Sequence, residues 1–148
     1  MHYLIRCLLL LCLAYSSVEA KSKRMVDISD NEILRKTIFL YTHGQKSTVA
    51  KAIAFVLRNR VRSNREDFGG KNIVDVCLQY WEHDMPERVE LPEHEEVEMN
   101  KWLPRLWSGR MHDITKGALY FKFPDENGEW TEGMEKTYEI NDIEFFKD

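Results

Sequence analysis

The sequence contains little cysteine, and the positions of the few cysteines limit which crosslinks can form. Cys7 and Cys12 lie in the first 20 residues of the 148-residue chain, and Cys77 is the third. Those 20 residues combine a weakly basic start, a short apolar run and a small residue at Ala20, which is typical of a secretory signal peptide. Cleavage after Ala20 leaves Cys77 alone and so excludes an intrachain disulfide. We predict a secreted or periplasmic protein, and a retained N-terminal anchor is the alternative.

The chain also lacks the features that define several other classes of protein. Its formal net charge is −4, which disfavours general nucleic-acid binding. It has neither a glycine-rich phosphate loop nor a serine nucleophile elbow. His83 and His94 lie among many carboxylates, but their spacing fits no metal-ligand motif. Cys77 falls in an apolar run, which favours an inert core thiol over a nucleophile paired with His43 or His112. We therefore expect no metal, no cofactor and no nucleic-acid partner.

What the sequence does contain is one strongly apolar helical segment. Between Val49 and Val61 apolar residues recur at helical spacing, and alanines fill many of the other positions. A helix that is apolar nearly all round is a buried one. We predict that this segment is the central helix of the core, capped by Ser47 or Thr48. Its basic end, which carries Arg58, Arg60 and Arg62, is expected to be the more solvated one.

Further helices are predicted on both sides of the central one. Ser29 and Glu32 form a capping box for a helix that begins near Asp30 and ends before Gly44. Asn72 is placed to cap a short third helix. A fourth helix is expected over about residues 95–107, with Val97 facing inwards and Pro104 kinking the helix or dividing it in two.

The last 30 residues change to a strand pattern. Aromatic and β-branched residues cluster at 118–123, 137–140 and 143–146, and a turn-rich segment at 124–128 follows the first cluster. Helices first and strands last predict an α+β domain over residues 29–148, preceded by a flexible leader at 21–28.

Aromatic residues are frequent for so small a domain. Tyr80, Trp81 and Trp130 lie next to polar residues, so they are candidates to line a groove for a sugar chain. Aromatic faces stack on pyranose rings, and neighbouring carboxylates such as Glu82 can bond the hydroxyls. Packing in the core accounts for Trp81 and Trp130 equally well.

Five segments, taken in order, resemble the motifs of one family. Residues 37–45 read TIFLYTHGQ against TIYGEARGE, and residues 52–61 read AIAFVLRNRV against AVAAVVLNRV, with a difference at Arg58. The segment 73–82 resembles an IxDVV motif followed by an aromatic cluster. Residues 113–121 resemble DPTGGAxYY, and residues 140–146 resemble IGxHxFY. These motifs are similar to those of the cell wall hydrolases that lyse the spore cortex.

The resemblance implies a fold, an activity and a set of site residues. It implies a small lysozyme-like α+β domain, mainly helical with a small C-terminal antiparallel β-element. It also implies a peptidoglycan glycan-strand hydrolase or lytic transglycosylase, with glycan strands as the binding partner. The family's catalytic glutamate falls at Tyr41, its second glutamate at Gln45 and its histidine at Ile143. The residues implied in substrate binding are Tyr41, Gln45, Tyr80, Trp81, Glu82, Asp113, Thr115, Tyr120 and Trp130.

Because tyrosine stands at the position of the family's catalytic glutamate, two hypotheses about activity remain open. Glycoside cleavage needs a proton on the leaving oxygen, which a carboxylic acid of raised pKa supplies. A tyrosine with a pKa near roughly 10 is a poor acid for this step. Either Glu82 replaces the missing acid, or the chain is a degenerate member that binds glycan strands or a protein partner without cutting. The simpler interpretation is that Glu82 is a solvated acid in a loop and that Asp113 braces a turn.

Overall fold

The structure, a computed structural model, describes residues 29–42, 45–81 and 86–148. The predicted signal peptide and leader lie outside the described residues, as do the predicted helix stop at Gly44 and the candidate acid Glu82.

The described chain contains five α-helices. They are α1 (Asp30–Thr42), α2 (Ser47–Ser63), α3 (Ile73–Leu78), α4 (Glu93–Asn100) and α5 (Leu103–Trp107). Short 3-10 turns occupy Glu66–Phe68, Pro86–Arg88 and Glu129–Thr131. Within the described ranges, every helix is too short or too polar to cross a bilayer.

Three short strands follow the helices and form one antiparallel sheet. They are β1 (Tyr120–Lys122), β2 (Glu135–Ile140) and β3 (Ile143–Lys147), in the order β1-β3-β2. Asn141 and Asp142 join β2 to β3 and both have positive φ, as a two-residue hairpin of the type I′ class requires. The predicted fold class, a mainly helical α+β domain with a small C-terminal antiparallel element, is confirmed.

The helix caps test the local predictions. The Ser29 hydroxyl accepts a hydrogen bond from the Glu32 amide at 3.2 Å, and the Asn72 side chain accepts from the Val74 amide at 2.9 Å, so both predicted caps are confirmed. The predicted cap of α2 is wrong. Ser47 is already helical, and Lys46, which precedes it, makes no side-chain cap. The length and burial of α2 make a cap less necessary there.

Helix α2 is buried between two hydrophobic clusters, which we call the helical cluster and the sheet-side cluster. Ala50, Ala54, Phe55 and Leu57 pack with the other helices, whereas Val49, Ala52, Ile53 and Val56 pack with Ala118, Ile143 and Phe145 at the sheet. Every residue from 52 to 58 is buried. The prediction of a central core helix is therefore confirmed. Its basic end begins later than expected, because Arg58 is only 6% exposed.

Cys77 lies in the helical cluster and is fully buried. Burial raises the pKa of its thiol to about 12, so the neutral form is retained at physiological pH. The predicted core position of this cysteine is confirmed.

The predicted fourth helix is two helices. Helix α4 ends at Asn100, and α5 starts at Leu103 with Pro104 in its first turn, where proline is tolerated. The inward direction predicted for Val97 is wrong, since this side chain is 52% exposed. Helix α4 is rich in glutamate and buries only Met99, so its apolar pattern was too weak to fix which side faces the core.

Replacing Phe55 by alanine tests the central position of α2. Phe55→Ala should lower the free energy of unfolding by about 3–5 kcal/mol, because a fully buried ring would leave a cavity in the helical cluster. Urea denaturation measures this loss. Val97→Ala is the matched control and should change stability by no more than about 0.5 kcal/mol. A loss below about 1 kcal/mol for Phe55→Ala would contradict the packing described above.

Candidate functional site

Tyr41 lies in the last turn of α1, where α1, the end of α3 and β1 meet. Its hydroxyl donates a hydrogen bond to the Tyr80 carbonyl at 3.0 Å. Its ring packs edge-on against Phe121, stacks on Phe123 and meets the Tyr80 ring, with centroid distances of 5.2, 5.9 and 5.5 Å. The position that resembles the family's acid is thus occupied by a half-buried ring held on several sides.

Trp81 is fixed to the same helix one turn earlier. Its indole N–H donates to the Thr37 hydroxyl at 3.0 Å, and that hydroxyl donates in turn to the Ile33 carbonyl at 2.7 Å. Thr37 is fully buried. The structure therefore brings Tyr41, Tyr80 and Trp81 together, as the sequence hypothesis requires, and orients the indole by a hydrogen bond.

The Tyr80 ring faces Phe121. The two rings are stacked at 5.5 Å with an interplanar angle of 6°. The Tyr80 hydroxyl is buried and, in the described part of the chain, has no hydrogen-bond partner. Burial accordingly raises the pKa of this phenol. The buried Tyr80 hydroxyl is therefore not accessible for a hydrogen bond to a ligand.

Arg60 connects the Tyr80 ring to the outer side of the sheet. Its guanidinium carbon lies 4.3, 4.9 and 5.3 Å from the ring centres of Phe68, Tyr80 and Tyr120. Its Nε donates to the Leu119 carbonyl at 2.7 Å, just before β1 begins. The charge is held by three aromatic faces and one backbone carbonyl, which fixes β1 against α2.

Tyr120 and Trp130 extend the aromatic series to the surface. The Trp130 ring is 42% exposed and lies 6.2 Å from Tyr120 and 6.4 Å from Phe146, measured between ring centres. The Tyr120 hydroxyl donates to Asp148 at 3.1 Å, and Arg65 binds both oxygens of Asp148 at 2.8 Å. Burial and the adjacent Asp148 carboxylate together raise the pKa of Tyr120. We call Tyr41, Tyr80, Tyr120 and Trp130, with Arg60 between the second and third, the aromatic series.

Asp113 braces the turn before β1. One carboxylate oxygen accepts hydrogen bonds from the amide and hydroxyl of Thr115 at 2.8 and 2.7 Å, and the other accepts from the Gly117 amide at 2.9 Å and the Asn59 side chain at 2.8 Å. Burial favours a higher pKa for Asp113, but these four hydrogen bonds outweigh it and hold the pKa below 3.8. Both carboxylate oxygens of Asp113 are therefore engaged in hydrogen bonds that hold the turn. A substrate contact by Asp113 or by the buried Thr115 stays a prediction.

Two of the three remaining predicted positions, Gln45 and Ile143, lie in the described part of the chain. Gln45 is exposed, and its backbone amide donates to the Thr42 carbonyl at 2.6 Å. Ile143, at the position of the family's histidine, is buried in the sheet-side cluster. Glu82 lies outside the described residues. Two clefts of about 550 and 410 Å³ lie near the start of α1, and neither is lined by Tyr41 or the rest of the aromatic series.

Sequence reasoning missed Arg60 and Phe121 as members of the site. Helical periodicity contained a signal for Arg60, because Val56 and Ile53 lie one turn and two turns before it, respectively, and pack at the sheet. No such signal existed for Phe121, whose stacking on Tyr80 joins distant segments. Among the described residues, no group of three or more His, Cys, Asp or Glu side chains is arranged to hold a metal ion.

The fold and the site together define a small α+β domain with aromatic side chains aligned along one helix and one sheet edge. The model of the cell wall hydrolase family matches residues 44–146, more than two thirds of the chain. The chain therefore belongs to the cell wall hydrolase family, as the motif resemblance predicted, and membership supports a peptidoglycan-related function. No curated protein and no solved structure matches it.

The matched region begins three residues after Tyr41. It includes the central helix, the Asp113 turn, Tyr80, Trp81, the first two strands and all of β3 except Lys147. The correspondence between Tyr41 and the family's catalytic glutamate rests on the motif at residues 37–45 and stays a prediction.

Substituting Asp113 tests its bracing role. Asp113→Asn should lower the free energy of unfolding by about 2 kcal/mol at pH 7, because an amide nitrogen would then face the Asn59 and Gly117 donors. The folded-state pKa is depressed, so the charged carboxylate stabilises the fold above its ordinary pKa of 3.8 and loses this effect as the pH falls through the folded value. The difference between wild type and variant should therefore shrink in acid.

Thermal unfolding between pH 3 and pH 7 measures this difference. Asp125→Asn, in the exposed turn after β1, is the matched control and should behave as the wild type does. A stability difference that does not depend on pH would contradict the assignment.

Proposed function

We propose that this protein is a secreted, peptidoglycan-binding member of the cell wall hydrolase family that has lost the family's general-acid chemistry. The observation that carries the proposal is the environment of Tyr41. Its only hydroxyl proton is directed to the Tyr80 carbonyl, and its ring is packed among Phe121, Phe123 and Tyr80.

The chemistry of glycoside cleavage explains why this environment matters. The leaving oxygen must receive a proton while positive charge develops on the sugar, and a carboxylic acid of raised pKa delivers it. A phenol with a pKa near roughly 10 donates poorly at neutral pH. Losing a general acid slows catalysis by about two to four orders of magnitude. A protein with Tyr41 in this place is expected to hold a glycan strand rather than cut it.

The aromatic series supports the binding half of the proposal. Trp130 offers an exposed ring face, and Tyr120 beside it is joined to Asp148 and Arg65, whose polar atoms suit sugar hydroxyls. Tyr41 and Trp81 are further, half-buried aromatic side chains near the end of α1. Ring faces with polar groups at their edges are the usual lining of sites for ligands of mixed polarity.

Export completes the proposal. Residues 1–20 have the pattern of a signal peptide with cleavage after Ala20, and the substrate of the family lies outside the cytoplasmic membrane. The proposed partner is the glycan strand of peptidoglycan, without a metal or cofactor.

Restoring an acid at position 41 tests the catalytic half. Wild type should release no soluble glycan fragments from purified peptidoglycan, whereas Tyr41→Glu should release them, because it supplies a carboxylic acid beside three aromatic rings. Mass spectrometry of the soluble fraction identifies the products. Tyr41→Gln is the matched control, because glutamine is similar in size to glutamate but has no acidic proton. This variant should release no soluble glycan fragments.

Fragments from the wild-type protein would contradict the loss of chemistry. Glu82→Gln would then show whether Glu82 is the replacement acid, because this change alone should abolish the release.

Removing the exposed ring tests the binding half. Trp130→Ala should weaken sedimentation with insoluble peptidoglycan about fivefold, which corresponds to about 1 kcal/mol for one aromatic stacking contact. Val97→Ala removes a comparably exposed apolar side chain from α4 and should leave binding unchanged. Equal binding by wild type and Trp130→Ala, or no binding by the wild type, would contradict the carbohydrate assignment.

A further inference from the structure

Two arginine side chains meet at the basic end of α2, on the side away from the sheet. Arg58 and Arg62 are one turn apart, and each places an Nη2 atom beside Gly109, in the loop after α5. A Cβ atom at position 109 would lie 2.7 Å from Nη2 of Arg58 and 3.2 Å from Nη2 of Arg62. The two guanidinium groups are therefore neighbours, although they carry the same charge.

Among the described residues, the Asp113 carboxylate partly compensates Arg58: it raises the pKa of this guanidinium, but burial and Arg62 lower the pKa more. In the described parts of the chain, neither guanidinium forms an ion pair with a carboxylate. Asp113 is the only acidic residue between Lys101 and Phe123, and its oxygens are occupied by the turn that it braces. Arg58 makes one hydrogen bond, from Nε to the Trp107 carbonyl at 3.3 Å.

Placing two guanidinium groups together lowers the stability of the folded protein. Arg58 is only 6% exposed, and burial together with the neighbouring Arg62 lowers its pKa, but an arginine stays charged at any physiological pH. The carbonyl end of α2 favours cations in its last turn, which accounts for Arg62 but less well for Arg58, which precedes that turn. A buried cation beside a second cation is ordinarily found with an anion that neutralises both.

The absence of a side chain at Gly109 leaves room for the Arg58 guanidinium. The φ of +80° at Gly109 is favourable for glycine, and any side chain there would collide with the Arg58 guanidinium. Arg105 and Arg110, both exposed, add positive charge on either side of the glycine. Arg62, Arg105 and Arg110 thus present positive charge at the surface, and Arg58 lies buried beside Arg62.

We propose that Arg58 and Arg62 form a binding site for an oxyanion, either a carboxylate or a phosphate. Planar guanidinium groups bind both kinds of anion with paired, charge-assisted hydrogen bonds. The site is distinct from the aromatic series, because Arg60, between the two arginines in sequence, points instead to Tyr80 and Tyr120. The proposal therefore stands independently of glycan binding.

Titration of the full-length protein with inorganic phosphate, and separately with acetate, tests the proposal. The NMR resonance of the Arg58 Nε–H group reports binding at the site itself, with chloride used to hold the ionic strength constant. Wild type should respond to phosphate, to acetate or to both. Arg62→Gln should raise the dissociation constant of the bound anion at least about tenfold, through the loss of charge-assisted hydrogen bonds.

Two further variants separate binding from folding. Lys71→Gln removes one exposed positive charge elsewhere and should titrate as the wild type does. Arg58→Leu should melt at a higher temperature than the wild type without added anion, because it removes a buried charge that has no ion-pair partner among the described residues. Its melting temperature should not rise when phosphate or acetate is added.

The outcomes distinguish the source of the anion and decide the proposal. A response to phosphate alone indicates a phosphate-bearing polymer, and a response to acetate alone indicates a carboxylate of peptide or sugar. No response to either anion, or the same titration for wild type and Arg62→Gln, would overturn the proposal. If Arg58→Leu does not fold, the comparison of Arg62→Gln with Lys71→Gln still decides it.

Discussion

The burial of α2 on two sides is the constraint on which the rest of this structure depends. One side of the helix packs with four other helices and the other with the sheet, so the relative position of the two layers is fixed by a single element. Its alanines allow both layers to approach closely, which larger side chains would prevent. The positions of the side chains that follow this buried stretch are determined by the same packing.

The C-terminal half of α2 distributes four side chains to three different places. Asn59 holds the Asp113 turn, Arg60 holds the start of β1 among aromatic rings, and Arg58 and Arg62 lie beside Gly109. Because these side chains leave the helix in different directions, the aromatic surface and the basic surface are built on one rigid support. The side chains that leave α2 are therefore preorganised, whereas Trp130 lies in the connection between β1 and β2.

Much of this fold could be predicted from local patterns, and the site could be predicted only in part. The apolar periodicity of α2, the Ser29 and Asn72 caps and the late strands are local signals, which act within one element. The misplaced residues depend on tertiary contacts. Arg58 is buried by the loop after α5, and Val97 is exposed because a glutamate-rich helix gives little information on which side faces the core.

The contacts of Tyr41 are tertiary in the same sense. Its hydrogen bond to Tyr80 and its packing on Phe121 join α1 to segments distant in sequence. Motif resemblance placed Tyr41 at the site, but only the folded arrangement indicates what its hydroxyl does.

Because Cys77 is buried, chemical labelling of its thiol would report the opening of the helical cluster. A thiol inside the helical cluster, with a pKa of about 12, is protected both from solvent and from ionisation. An alkylating reagent can reach it only when α3 separates from α1 and α2, so its labelling rate would follow the local opening equilibrium rather than thiol chemistry. In a chain cleaved after Ala20 this would be the single thiol, and every labelled molecule would record one opening of the helical layer.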